Sequence, residues 1–229
     1  GGVDTTYSVS TVPGAGIHTV AFNDFVQVVN FTGLEPVIDL VPAASLTVNA
    51  TAAANAINYS AAANLANGLV TIDNFESIEF SNKDVLTINA GNGNDTVNLN
   101  NPNTPTNLLR INVDGGDGED EVTVNGAIGS ESIVYRPTAA EDASISITAL
   151  PTISVTAISR VVIDGHENFG GDDLSISTTS IDGIQVLTPG STADSGTVEF
   201  YTGGFVTFHA PTLEFRNLGA AGTVEFFDT

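Results

Sequence analysis

Nine consecutive residues of this chain read Gly115-Gly116-Asp117-Gly118-Glu119-Asp120-Glu121-Val122-Thr123. A similar block, Ala90-Gly91-Asn92-Gly93-Asn94-Asp95-Thr96-Val97-Asn98, stands 25 residues earlier. Glycine adopts positive φ without steric cost, so glycines at this spacing turn the backbone tightly and aim carbonyl oxygens inward. The aspartate at the end of each turn adds a carboxylate. The valine that follows returns the chain to a strand and enters a core. Carbonyl and carboxylate oxygens are hard ligands, of the kind Ca²⁺ gathers in sets of about six to eight. Gly/Asn/Asp-rich turns also join strands with no metal at all, and both readings stand at this point.

A third stretch carries a shortened form of the same turn: Ile163-Asp164-Gly165-His166-Glu167-Asn168-Phe169-Gly170-Gly171-Asp172-Asp173-Leu174. The first block fits the pattern G-G-x-G-x-D-x-U-x, with U large and apolar, at every fixed position. The second departs only at Ala90. The chain therefore resembles the haemolysin-type (RTX) calcium-binding nonapeptide-repeat proteins over residues 86–124 and 163–176. That resemblance implies a parallel β-roll with Ca²⁺ held between turns stacked on successive coils. Carried onto this chain, it makes Asp95 and Asp120 the carboxylate ligands and the carbonyls near Gly91, Gly93, Gly116 and Gly118 the rest of the shell. Asp117 is an additional ligand, and Asp172 and Asp173 hold the same place in the third stretch. The family runs its repeats in tandem, two to a coil, whereas the two good copies here stand 25 residues apart. The expectation is thus a solenoid with a calcium edge along part of its length.

Other chemistry is thinly represented. His18, His166 and His209 share no spacing and read as surface or core histidines. No G-x-S-x-G, P-loop or H-E-x-x-H occurs. Acidic neighbours such as Glu141 and Asp142 could be drawn as glycosidase carboxylates, but read better as solvated surface. Lys83, Arg110, Arg136, Arg160 and Arg216 are spread along the sequence, and Trp is absent. A polysaccharide-cleaving β-helix would want clustered basic residues and a stacking platform. Sequons at Asn30, Asn49, Asn58 and Asn94 are unsurprising in a chain so rich in Asn, Thr and Ser.

The segments that must position the turns alternate apolar and polar residues. Val26–Val29, Leu86–Asn89, Ile111–Val113, Val122–Val124, Ile145–Thr148 and Leu174–Ser177 all show the period of two that marks strands. Only residues 51–67, rich in Ala, suggest a helix. The expected class is all-β: a parallel β-solenoid with coils of about 25 residues, each coil holding three strands and three turns. A weaker recurrence places Glu35, Glu76, Glu167 and Glu214 beside apolar residues, at spacings of 41, 91 and 47. Residues 101–106 read as a loop between coils. Residues 1–25 are expected to be a cap, a tail or an exchanged strand, and residues 26–229 the solenoid.

Composition narrows the function. Charged residues make up 14%, against roughly 25% in an ordinary soluble domain. The deficit is basic: Lys+Arg is 5, Asp+Glu is 27, and the net charge is −22. Such a chain is not built for nucleic acid or for an anionic membrane surface, which need Lys and Arg. It favours bound cations. With Cys at 0, disulfides and thiolate zinc sites are excluded. No apolar run approaches the roughly 18 residues of a membrane helix. Met is 0 and residue 1 is Gly, so a processed product or a fragment is expected. The combined expectation is a non-enzymatic, extracellular, calcium-stabilised structural protein. It would polymerise through end-to-end or strand-exchange contacts into a filament or surface layer, with cell-surface or glycan contact as the other partner class. A module of a large secreted adhesin and a β-helix polysaccharide lyase or hydrolase are the alternatives.

Overall fold

The computed structural model describes residues 2–33, 36–101, 104–127, 129–139, 141–165, 172–178, 184–189, 195–201, 212–216, 218 and 223–228. Among these, every regular segment is a strand. The strands are β1 (Asp4–Val9), β2 (Ala15–Phe22), β3 (Phe25–Thr32), β4 (Val37–Asp39), β5 (Ala43–Asn49), β6 (Ala56–Ala61) and β7 (Gly68–Ile72). Then come β8 (Ile78–Phe80), β9 (Lys83–Asn89), β10 (Thr96–Leu99), β11 (Arg110–Asp114), β12 (Glu121–Asn125), β13 (Ser132–Ala139) and β14 (Asp142–Ile147). The last are β15 (Thr152–Thr156), β16 (Arg160–Asp164), β17 (Asp173–Thr178), β18 (Ile184–Pro189), β19 (Gly196–Tyr201), β20 (Thr212–Arg216) and β21 (Thr223–Asp228).

They form two mixed sheets. One has eleven strands in the order β21-β17-β13-β14-β15-β11-β9-β5-β1-β2-β3; the other has ten, in the order β18-β19-β20-β16-β12-β10-β6-β7-β8-β4. The middle of each is parallel. β1, β5, β9, β11 and β15 run side by side in the first sheet, and β6, β10, β12, β16 and β20 in the second. Along this stretch the chain alternates between the sheets: β5 to β6, β9 to β10, β11 to β12, β15 to β16. Inward positions hold Leu, Ile, Val and Tyr. Leu46, Leu86, Ile111 and Ile153 line up on one sheet, Ile57, Val97, Val122 and Val161 on the other, and all belong to one buried cluster. At about 25 cal/mol per Å² of apolar surface, this shared burial is the main favourable term holding the sheets together.

Three expectations are corrected here. Each step of the alternating stretch carries two main strands, not three. The 25-residue step joins only β9 to β11 and β10 to β12 (Leu86↔Ile111, Val97↔Val122). Elsewhere along these parallel stretches the step ranges from 39 residues (Val122↔Val161) through 40 (Leu46↔Leu86), 41 (Tyr7↔Val48) and 42 (Ile111↔Ile153) to 52 (Val161↔Leu213). The longer steps contain inserted hairpin strands, β7–β8, β13–β14 and β18–β19, whose antiparallel pairs make the sheets mixed, while β8 and β13 also pair parallel with β4 and β17. Residues 51–67 are not helical. Ile57 and Tyr59 are buried while Ala56 and Asn58 are exposed, a period of two that forms β6. Alanine content favours a helix, but no face with period 3.6 is present to be buried. The 25/26 boundary falls inside β3, just after its first residue Phe25, and β1 pairs in register with β5.

Candidate functional site

The two Gly-Asp turns lie side by side at one corner, where the chain passes from the first sheet to the second. Their backbones are hydrogen-bonded directly. The Asp117 N–H donates to Gly91 O (3.0 Å), and the Gly93 N–H donates to Asp117 O (2.8 Å). Asn92 and Asp117 form a parallel bridge. This contact sets the need for glycine. A Cβ on Gly116 would stand 1.9 Å from Gly91 O, and one on Gly118 would stand 1.8 Å from Gly93 O. Both residues also have positive φ, +85° and +147°. Gly91 and Gly93 abut Thr51 and Ala53–Ala54 of the preceding corner in the same way. The glycines thus let successive corners touch backbone to backbone.

The aspartates join the corners. The Asn55 N–H donates to Asp95 Oδ1 (2.7 Å), across 40 residues of sequence. The Asp95 N–H donates to Asp120 Oδ1 (2.7 Å), across 25. Main-chain bonds run alongside: Thr96 N to Asn55 O, Glu121 N to Asp95 O, and Ser159 N and Arg160 N to Asp120 O. Each carboxylate therefore reaches back one corner and accepts its amide proton. Asp95 and Asp120 are each 1% exposed. Their second oxygens, Asp95 Oδ2 and Asp120 Oδ2, are buried with no hydrogen-bond partner.

Asp172 repeats the arrangement. Its Oδ1 accepts the Glu131 N–H (2.9 Å), and its own N–H donates to Leu218 O (2.7 Å). Asp173, by contrast, is exposed and begins β17 opposite Ser132. Gly170 and Gly171, with His166–Phe169, lie outside the described residues, as do Glu35 and His209. Burial lifts all three buried carboxyls above the ordinary carboxylate range. For Asp95 the Asn55 N–H opposes this, and the Asp120 and Asp73 charges add to it. For Asp120 the Asp95 N–H opposes, while Glu119 and Asp114 add. For Asp172 the Glu131 N–H opposes and Asp173 adds.

Against the shell implied by the resemblance, the carbonyls of Gly91 and Gly93 face the next corner, and that of Gly91 accepts a neighbouring N–H. Asp117 is exposed at the turn. Among the described residues, no group of three or more His, Cys, Asp or Glu side chains converges as a metal site. The corner supplies two unsatisfied carboxylate oxygens, short of the roughly six to eight that Ca²⁺ takes. As built, its residues do not form a complete calcium shell.

Two further constellations escaped the sequence reading. Asn55 occupies the same corner as Asp95. Its Oδ1 accepts from the Thr51 N–H and hydroxyl, and its Nδ2 donates to Asp73 Oδ2. The signal was present as Asn55-Ala56-Ile57-Asn58 against Asp95-Thr96-Val97-Asn98, but at an offset of 40, hidden by alanines where glycines stand. The second is a buried group bridging the sheets. Lys83 Nζ lies 3.1 Å from Asp39 Oδ1 and donates to the carbonyls of Val41 (2.5 Å) and Ser81 (3.1 Å). His18 Nε2 lies 3.0 Å from Asp39 Oδ2, which makes His18 a buried histidine at the edge of the core. Burial pushes the Asp39 carboxyl up, but the His18 hydrogen bond and the Lys83 charge outweigh it and hold the group at about 2. On the outward side of the second sheet, Arg160 on β16 pairs with Glu121 on β12 and Glu214 on β20, and Arg216 pairs with Asp164. This places one guanidinium beside two acids. Both carboxylates are engaged by the guanidinium in cross-strand pairs.

Comparison with protein-family models, with curated proteins and with solved structures finds no match for this chain.

Proposed function

We propose that this chain is a non-enzymatic structural protein of the cell exterior. It is a β-solenoid enlarged by inserted hairpins, joined corner to corner, and its ends serve self-assembly into a filament or surface layer. The observation that carries this reading is the run from Asn55 through Asp95 to Asp120. There the residues with the greatest chemical capacity are turned onto the backbone of the neighbouring corner. Carboxylates placed to act on a substrate face a cleft; these face amide protons of their own chain. With no cysteine, the protein has no disulfide staple. Buried hydrogen bonds from corner to corner, each worth roughly 0.5–1.5 kcal/mol, supply one in its place.

Calcium enters this reading only as the ion that Asp95 Oδ2 and Asp120 Oδ2 would draw. Thermal unfolding in EDTA, and then in CaCl₂, MgCl₂ and NaCl at matched ionic strength, tests it. Were calcium bound there, a response specific to it would reach about 3 kcal/mol at a hundredfold excess over Kd, and Asp120→Ala would abolish it. Equal responses to all three salts remove calcium and leave a hydrogen-bonded scaffold. Multiple-turnover cleavage of an acidic polysaccharide, lost on Arg160→Ala, would overturn the non-enzymatic reading itself.

A further inference from the structure

We infer that β3 is a docking edge for a second copy of this chain, and that the two β3 strands pair antiparallel about a two-fold axis. This rests on the self-assembly reading above and names the contact at one end; a two-fold pair closes on itself, so growth beyond a dimer needs a second contact elsewhere. β3 ends the eleven-stranded sheet, so among the described residues one row of its N–H and C=O groups has no strand beside it. Edges of this kind are normally blunted by Lys, Pro, bulges or shortness. β3 has none of these. It runs eight residues, contains neither Lys nor Pro, and pairs with β2 from Ala15↔Thr32 to Phe22↔Phe25 without a register shift. Its side chains are open on both faces: Phe25 is 61% exposed, Val26 56%, Val28 54% and Val29 40%. Phe22 and Ile17 of β2 extend the apolar surface.

Charge selects the occupant. The chain carries −22 overall, yet the hairpin spanning residues 15–32 holds one acid, Asp24. Two copies repel over most of their surfaces and can approach here. The other outer strand of the same sheet, β21, bears Glu225 and Asp228, so pairing β3 with β3 avoids a charge that pairing β3 with β21 would bury. The sequence of β3 also permits pairing with itself. A two-fold perpendicular to the sheet keeps equivalent residues on one face, so the register centres on a residue; centred on Val28, it sets Val28 opposite the second copy's Val28, Gln27 opposite its Val29, and Val26 opposite its Asn30. No pair brings charges together. Each contact off the axis occurs twice, as an isologous interface requires, and opposed pairs are the unit of sheet stabilisation.

The test uses the full chain, first by light scattering over a range of concentrations. The wild type should form dimers or larger even assemblies. Val28→Glu, which sets like charges beside the axis, should shift the mass down at least twofold while the melting temperature holds. The absence of cysteine allows a check of register. Equivalent residues share a face across the axis, whereas Val28 and the second copy's Val29 lie on opposite faces. Oxidised Val28→Cys chains should therefore give a disulfide-linked dimer, and Val29→Cys chains should not. A wild type that self-associates undiminished by Val28→Glu overturns this interface and leaves the self-assembly reading standing. A wild type that stays monomeric at every concentration overturns both. A monomer that binds neutral phosphatidylcholine vesicles through Val28 assigns the edge to lipid and overturns the inference. Cross-linking of Val29→Cys chains in preference to Val28→Cys chains overturns the register.

Discussion

Asp120 has two oxygens with different roles, and the difference is measurable. Oδ1 satisfies the buried Asp95 N–H, while Oδ2 is buried without a partner. Asp120→Ala removes the acceptor and strands that N–H, which should cost about 1–3 kcal/mol by urea denaturation. Asp120→Asn keeps an amide oxygen in place of Oδ1 and removes the charge. It should fall within about 1 kcal/mol of wild type at neutral pH in EDTA. If Asn is as damaging as Ala, the negative charge itself is needed there, as it would be beside a cation. Lys83 is the opposite case, a buried charge fully surrounded. Removing it by Lys83→Met leaves Asp39 with His18 and the Val41 N–H but without its counter-charge. Breaking one side of a buried pair costs roughly 3–5 kcal/mol, so the same denaturation should show a loss several times that of an exposed substitution such as Arg110→Met.

Where two corners touch, the turn and its neighbour constrain each other. Gly116→Ala must bear a left-handed backbone and a Cβ driven into Gly91 O, whereas Gly129, at φ +134°, has nothing within 4 Å of its Cβ position. Gly129→Ala should therefore lose only the conformational term, about 1–3 kcal/mol. Gly116→Ala should lose clearly more, or fail to fold, as judged by the near-UV spectrum and the melting temperature. Equal losses would show that the corners can move apart. The same turns mark what was legible beforehand. Leu86, Ile88, Ile111, Val113, Val122 and Val124 alternate with polar residues because one side of each strand is buried, so strands and the 25-residue register were readable directly. The inserted hairpins were not. A hairpin strand alternates with the same period as a parallel strand, and nothing local says whether it continues the stack or folds back. The bridge from Lys83 to Asp39 was unreadable for a related reason: 44 residues separate them. They meet only because β4 pairs with β8 while β9, three residues on, returns to the other sheet. The Gly-Asp pattern did locate the corner, but a turn that receives a cation and a turn that receives its neighbour's peptide need the same glycines.

Two electrostatic effects of different range act on the assembled chain, and they share a sign. The buried carboxyls of Asp95, Asp120 and Asp172 have folded pKa values above their ordinary ones. The folded state therefore holds their protons more tightly than the unfolded state. Their contribution is fully present below the ordinary carboxylate range and is lost as pH rises through the raised folded values. The net charge of −22 acts the same way, since deprotonation increases self-repulsion. Asp39 opposes both: its contribution is present above its ordinary value of 3.8 and is lost as pH falls towards about 2. Stability in EDTA should therefore be greatest on the acid side of neutrality and decline towards pH 8, with Asp39 alone among these groups withdrawing its contribution as pH falls below 3.8. Salt separates the two causes. At 0.5 M NaCl the screening length falls well under about 10 Å, which weakens repulsion between surface acids but leaves the buried corner almost untouched. The melting temperature at pH 8 should rise by several degrees between about 0.02 and 0.5 M NaCl, while part of the pH dependence survives. That surviving part should shrink in Asp120→Asn and shrink further when Asp95→Asn is added. If high salt alone flattens the profile in the wild type, the corner carboxyls are not the buried, proton-retaining groups their surroundings make them.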